Sequence, residues 1–311
     1  MTQQIPNAML TIFDGGALSF RNRIINGAMG VAQRGTSFST PASAAYTLDR
    51  WFVNWTGAAP TTVAQVTGPT GFRNALQITG AASNTAVNIN QKIESLNCSD
   101  LSGATVTIQA NIAVSVAQTV SWQLYYANAQ DNFSSVTAIS SGTWSATTTA
   151  TTFTATVAGL PAGAMNGLYL AINPNNGGAF TSGTFTITGV QLEKGAVSTP
   201  FEFRHHGTEL ALCQRYYVPI GGNLTAMLNG SGTVQAFAYL PVTPRATPAV
   251  SYSGTANMVA FGIATYTSTT QPSGINCIGN NLYFTVTGFG ATSASGGGQL
   301  SGPTYVASME L

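Results

Sequence analysis

The chain has 311 residues, of which only 6% are charged, and a formal net charge of +1; an ordinary soluble domain carries roughly a quarter charged residues. Its ten Lys or Arg are spread along the whole length, leaving no electropositive surface large enough to hold a phosphate backbone, so nucleic acid is not an expected partner. Apolar runs are short and broken by Gly, Pro, Thr or Asn, none approaching the roughly 20 residues of a membrane helix, so membrane insertion is not expected. The opening MTQQIPNAMLTIFDGG lacks the basic start and apolar middle of a secretion signal.

Period-two alternation is the dominant signal along the chain, as expected of strands with one buried face. In TVTIQANIAVSV, Val106, Ile108, Ala110, Ile112, Val114 and Val116 share one side and Thr105, Thr107, Gln109, Asn111 and Ser115 the other. Trp122, Leu124 and Tyr126 read the same way, as do Phe153, Ala155 and Val157, and Leu168, Leu170 and Ile172. Between them lie turn compositions such as Asn-Pro-Asn-Asn-Gly-Gly. In GTFTITGVQLEKG, Phe185 and Ile187 have one parity and Val190 and Leu192 the other; one extra residue at Gly189 restores both pairs to a single face. Residues 183–193 are therefore predicted as a bulged strand closing a sandwich.

The segment TPFEFRHHGTELALCQRYYVPI changes character. Thr208 as a cap, Glu209 in a first turn, Arg215 near an end and Pro219 as a stop predict a helix of two or three turns, taken as a linking helix over residues 207–218. Strand signals then return at Val234, Ala236 and Ala238, at Leu282, Phe284 and Val286, and in TYVASMEL, predicting a smaller β domain over 219–311. Few charges and many sheet edges favour a homo-oligomer, chiefly through this C-terminal part.

Chemistry-bearing residues are sparse. Glycoside hydrolysis needs two carboxylates about 5 to 9.5 Å apart, and no spacing among the nine acids advertises such a pair, although Asp49 and Glu193 would qualify if a sandwich brought them together. His205 and His206 are adjacent and point apart in a strand; no GxSxG elbow precedes them, and P-loop, dinucleotide and zincin patterns are absent. Cys98, Cys213 and Cys277 are too far apart for a CxxC-type cluster and read as free buried thiols. No catalytic residue is assigned and no cofactor is required. Asp49 and Glu193 are the acids that would serve a structural calcium ion.

Binding chemistry is better supplied. Saccharide sites combine flat aromatic rings with amides, and this chain carries Trp51, Trp55, Trp122, Trp144, Tyr125, Tyr126 and Tyr169 with many Asn and Gln. Parity puts Trp122 and Tyr126 in a core. Tyr125, on the face of Gln123, and Trp144, in the short segment SGTWSA, are the candidate ligand-binding residues.

Two stretches carry a resemblance. Asn22 to Trp55, with Asn26-Gly27, Gln33-Arg34-Gly35, Tyr46 and Asp49-Arg50-Trp51, and Gly189 to Tyr217, with Gln191-Leu192-Glu193-Lys194-Gly195, Pro200-Phe201 and Cys213-Gln214-Arg215-Tyr216-Tyr217, resemble segments of distal tail-fibre and receptor-binding proteins of tailed bacteriophages. The resemblance implies an all-β chain: an attachment segment over 1–20, a carbohydrate-binding-module-like jelly-roll β-sandwich over 21–206, the short helix, and a smaller C-terminal β domain forming the fibre tip. It implies a homotrimer on the virion, in a tail fibre or tail tip, assembled in the host cytoplasm and released by lysis. Its partners would be a bacterial surface polysaccharide or lipopolysaccharide and other tail proteins. A structural tail or baseplate role and a polysaccharide depolymerase are the alternatives. Within the motifs, an ion-pair network of Arg34, Asp49 and Arg50 backed by Trp51 is expected to be scaffold.

Overall fold

The computed structural model describes residues 20–221, 223–229, 231–260, 264–290, 296–301 and 304–311. Apart from Phe20, the expected attachment segment lies outside the described residues. The chain forms two compact units, Met1–His206 with Leu311, and Gly207–Glu310.

The first unit contains β1 (Ser37–Ser39), β2 (Ala45–Tyr46), β3 (Phe52–Gly57), β4 (Thr62–Thr67), β5 (Asn74–Thr79), β6 (Asn84–Ile93), β7 (Val106–Val114), β8 (Gln118–Ala129), β9 (Asn132–Ala146), β10 (Thr151–Val157), β11 (Leu168–Asn173) and β12 (Thr184–Lys194). They build two six-stranded sheets, sheet A in the order β1-β4-β5-β12-β7-β10 and sheet B in the order β2-β3-β6-β11-β8-β9. Numbering the eight strands from β5 to β12 as one to eight, sheet A contains the order 1-8-3-6 and sheet B the order 2-7-4-5. That is the jelly roll expected of this region; β1 and β4 extend one sheet, β2 and β3 the other.

Alternation fixes which side of each sheet is buried, because a slip of one residue would turn every apolar side chain outward. Val106, Ile108, Ala110, Ile112 and Val114 from sheet A meet Leu168, Leu170, Ile172, Trp122 and Leu124 from sheet B in one core. The sequence pattern runs one residue pair too far: Val116 lies past the end of β7 and is exposed. The bulge in β12 falls where parity placed it. Register shifts between Thr188 and Gln191, Gly189 adopts φ +58°, and Phe185, Ile187, Val190 and Leu192 are all fully buried in the same core.

The segment from Arg21 to Val31 forms no strand; it enters the end of the sandwich and bonds to both sheets. Arg23 N–H donates to the Leu192 carbonyl and Val190 N–H to that of Gly27. On the sheet B side, Gln91 uses its side-chain amide as a peptide substitute, accepting from Ile25 N–H and donating to Ile25 O, both at 2.8 Å. Gln65 of β4 donates to Met29 O. Asn22 accepts from Ile24 N–H and Leu192 N–H and donates to Val190 O. Outside sheet A, Gln191 and Glu193 grip the returning chain, with Glu193 accepting from Thr199 N–H and hydroxyl at 2.7 and 2.6 Å and Gln191 accepting from Glu202 N–H. Arg204 closes the loop, donating to the carbonyls of Ile24 and Asn22 and pairing with Glu202.

The second unit opens with α1 (His206–Gln214), with Glu209 in its first turn. The helix is present as predicted, but Thr208 lies inside it, not at its cap, and Pro219 is not its stop. Pro219 sits in β13 (Tyr217–Ile220), where its missing N–H is tolerated because β13 is an edge strand. Sheet C joins β13 to β22 (Tyr305–Ser308) and β16 (Ala249–Tyr252). Sheet D has seven strands, comprising β14 (Leu224–Leu228), β15 (Val234–Tyr239), β17 (Ala256–Ala260), β18 (Ala264–Ser268), β19 (Ser273–Ile278), β20 (Asn281–Val286) and β21 (Gly296–Ser301). Tyr252 and Tyr305 of sheet C share a core with Leu228, Val234, Leu282 and Phe284 of sheet D. Among the described residues the chain is all-β apart from one short helix and single 3-10 turns, with the smaller β unit following the sandwich as expected.

Gly27 tests the N-terminal plug. A Cβ there would lie 2.1 Å from the Val190 carbonyl oxygen, a backbone atom that cannot step aside. Gly27→Ala should therefore destabilise the first unit by about 2–3 kcal/mol, in the upper range for single substitutions; denaturant unfolding followed by tryptophan fluorescence measures it.

Candidate functional site

The candidate site is the outer face of sheet B. Register aligns Phe52, Asn90, Ala171, Gln123 and Ser141 across five strands, with Lys92, Tyr169, Tyr125 and Ala138 in a second row. These positions alternate with the core residues Val53, Ile89, Leu170 and Leu124, so the pleat itself turns them away from the core.

Four rings cross this face. Tyr125 stacks on Tyr169 with centroids 5.4 Å apart, Tyr169 on Phe52 at 6.0 Å, and Phe52 meets Tyr46 at 5.2 Å. Lys92 lies with its ammonium 5.2 Å from the Phe52 ring centre, and Arg34 covers Tyr46 at 5.3 Å. Amides fix the phenols: Tyr169 donates to Asn90 Oδ1 at 2.9 Å and Tyr125 to Gln123 Oε1. Asn90 in turn donates to Asn88 Oδ1. Beside the rings runs a groove of about 270 Å³ lined by Asn54, Trp55, Thr56, Asn88, Ser121, Gln123, Asn173 and Asn176 among others, with no charged side chain. Gln123 belongs to both platform and groove. Phe52 and Asn90 are themselves buried and Tyr46, Tyr125 and Tyr169 half-buried, so what the face offers is the exposed part of the tyrosines next to neutral donors and acceptors held on strands.

Burial pushes the Tyr169 hydroxyl up to about 12, the neighbouring Tyr125 phenol adding to the rise and a hydrogen bond with Asn54 opposing it; burial also raises Tyr125. Both therefore remain neutral donors at any ordinary pH.

Of the residues singled out in the sequence, Tyr125 is half-buried on this face, next to Gln123, as parity indicated. Trp144 is elsewhere. It does not lie beside a loop but within the 15-residue strand β9, 6% exposed, packed on Trp122 and Phe153 and donating from its indole N–H to Thr154 O. Its ring is core. The mis-reading has a physical source: the inward set of that stretch is Gly142, Trp144 and Ala146, and Gly142 is small because a Cβ there would sit 2.8 Å from the Trp122 indole.

Asp49 and Glu193 are not brought together into a cleft. Asp49 is fully buried, accepts from Gln33 N–H at 2.6 Å and the Gln33 side chain at 2.7 Å, and pairs with Arg34 at 3.5 Å. Glu193 takes the Thr199 donors and pairs with Arg21 at 3.5 Å. N–H, hydroxyl and guanidinium donors thus occupy the oxygens that a calcium ion would need, and among the described residues no group of three or more His, Cys, Asp or Glu is placed to hold a metal. The expected motif network is present in part: Arg34 pairs with Asp49, while Arg50, 1% exposed, donates to Lys92 O and Trp51 donates to Asn26 O.

The sequence reading weighs Asn and Gln only as a group beside the aromatics and, apart from Gln123, does not single out the outer-face amides. Asn88 and Asn90 alternate with Val87 and Ile89 in VNINQ, and that polar parity was the available signal.

Fold and face together define a jelly-roll β-sandwich whose sheet B carries tyrosines and side-chain amides on its outer face. No protein-family model matches the chain, and no curated protein matches it. Solved structures similar to it include one described as CBM4 structure and function (17% identity, 55% of this chain and 98% of that chain, TM-score 0.37). Another is the CBM22-2 xylan-binding domain of Paenibacillus barcinonensis Xyn10C (14%, 47% and 92%, TM-score 0.34). A third is the enzymatically active domain of tailspike protein 4 of bacteriophage CBA120 (16%, 56% of this chain but 22% of that one, TM-score 0.39).

The raised phenols make a pH prediction. Between the ordinary tyrosine value of 10.0 and about 12, the unfolded chain releases a proton that folded Tyr169 keeps. Stability of the first unit should therefore fall as pH rises through that window and level off above it. Ultraviolet difference titration of the native chain against Tyr169→Phe should show the missing phenolate appearing near the top of the window.

Proposed function

We propose that this chain recognises a surface glycan noncovalently, through the outer face of sheet B. The observation that carries the reading is the pair of stacked phenols, Tyr125 and Tyr169, standing beside the uncharged Asn and Gln groove. A sugar ring laid on the phenols would bring its hydroxyls to Gln123, Asn88 and Asn54, which can donate and accept at once. Recognition by fit accounts for this face better than bond cleavage does, since the acids weighed as a hydrolytic pair, Asp49 and Glu193, are each committed to structural donors.

In its finer form the proposal is a tail-fibre or tail-tip adhesin of a tailed phage that binds bacterial polysaccharide or lipopolysaccharide, carried on the virion as a homotrimer after assembly in the host cytoplasm. The motif resemblance supports it. So does the composition of the second unit: Arg245 is the only charged residue between 216 and 309, and sheet D exposes Met227, Tyr239, Val259 and Tyr283. An uncharged face meets its own copies without repulsion, and repeated weak sites on one assembly slow release.

On an array of bacterial surface polysaccharides, the chain should bind without releasing reducing ends, and Tyr125→Ala or Tyr169→Ala should weaken binding about tenfold, roughly 1.4 kcal/mol. Undiminished binding by both variants would sink the assignment of this face. Light scattering should give three chains per particle, and Tyr239→Glu should shift that mass downward; a monomeric wild type contradicts the fibre reading.

A further inference from the structure

The sandwich has a second cleft, on its side and away from the ring platform. Strands β9 and β10 follow one another in sequence and form the lateral edges of sheets B and A. Near their connection they are sewn together: the Trp144 indole donates to Thr154 O and its ring stacks on Phe153. Farther along they part, and residues 137–140 of β9 face residues 156–159 across a cleft of about 460 Å³. That size lies within the range of about 300–1,000 Å³ usual for small-ligand sites.

We propose that this edge cleft is a second saccharide site, taking one or two neutral sugar residues independently of the sheet B face; the proposal rests on the glycan-recognition reading above. Four observations carry it. Both walls are edge strands, so main-chain N–H and C=O groups are available there without breaking a ladder. The walls add the hydroxyls of Thr137, Ser140 and Thr156 and no charge. Tyr126 also lines the cleft, its ring fixed because Gly163 lies so close that a Cβ would fall 2.2 Å from it. Finally, Thr137 donates to Asn128 and Thr156 to Ala196 O, whereas among the described residues the hydroxyls of Tyr126 and Ser140 have no protein partner. They are free to bond a ligand.

A saccharide suits the cleft better than an added peptide strand. Register in β9 slips at Ile139, where Leu124 pairs with Ser140 but Tyr125 with Ala138. Such a bulge interrupts the regular edge that strand addition needs, while leaving isolated donors and acceptors of the kind that sugar hydroxyls use.

The test uses the full chain with maltohexaose, xylohexaose and chitohexaose as neutral probes and a galacturonate hexamer as the acidic control. Calorimetric stoichiometry and soaked crystals give the number and place of bound sugars. At least one neutral probe should occupy two places per chain, the galacturonate hexamer leaving the cleft empty. Ala158→Trp, an exposed position on the cleft wall, should remove one place, and Tyr125→Ala should weaken only the other. Tyr126→Phe, which keeps the ring and its packing, should weaken cleft binding by about threefold to tenfold, the worth of one hydrogen bond. A single place that Tyr125→Ala weakens and Ala158→Trp leaves untouched overturns the cleft and spares the face. Absence of binding by every neutral probe overturns both.

Discussion

The sandwich depends on one junction, the meeting of the Arg21–Val31 segment with the bulge of β12. Without the extra residue at Gly189, either Phe185 and Ile187 or Val190 and Leu192 would face away from the core. The bulge in turn presents Val190 N–H and O to Gly27 and Asn22, so the kink that rescues parity also anchors the segment that fills the end of the barrel-like interior. The cost of this design is a set of buried polar groups, and the structure satisfies them reciprocally. Glutamines at inward positions, Gln65 and Gln91, bond the plug's main chain. Glu193 and Gln191, on the outer side of β12, hold the returning chain. Breaking one member would strand its partner in a dry interior, which is why such networks specify geometry more than they add net stability.

This junction explains what the two motif stretches have in common. They are far apart in sequence, at Asn22–Trp55 and Gly189–Tyr217, yet most of their polar residues within the first unit bond to one another or to the plug. Asn26 bonds Val31 and Asp49 O, Trp51 bonds Asn26 O, and Arg204 bonds Asn22 and Ile24. A pattern that looks like a signature is thus, physically, the closure of the sandwich.

Much of the architecture was legible because period-two alternation reports directly on which side of a strand is buried. β7, β8, β10, β11 and even the β12 bulge could be read from parity. The reading weakened where the buried side departs from large apolar residues. In β9 the inward positions near Trp144 are Gly142 and Ala146, small because two indoles fill the space, and the segment therefore resembles a loop. The plug was illegible for a related reason: it is irregular chain whose partners are side-chain amides, and periodicity carries no trace of it. The inward glutamines in QVTG and NQKI were the only hint, since a polar residue on a core parity must have something to bond. At α1 the error came from Pro219, read as a stop when an edge strand tolerates it equally well.

The scarcity of charge gains a meaning from where the charges lie. Asp49, Glu94, Glu193 and Arg50 are all buried, and they serve the scaffold. Little charge remains for the outer face of sheet B, where Lys92 is spread over Phe52 and Phe133, and none lines either cleft. Surfaces with so little charge have no strong long-range field to steer a ligand, so attachment under the proposed function would rest on short-range ring stacking and amide hydrogen bonds, each modest by itself. Rigid display on strands reduces the entropy lost when a sugar docks. A stiff sheet carrying pre-ordered, largely uncharged groups is therefore suited to the individually reversible contacts that the proposed function calls for.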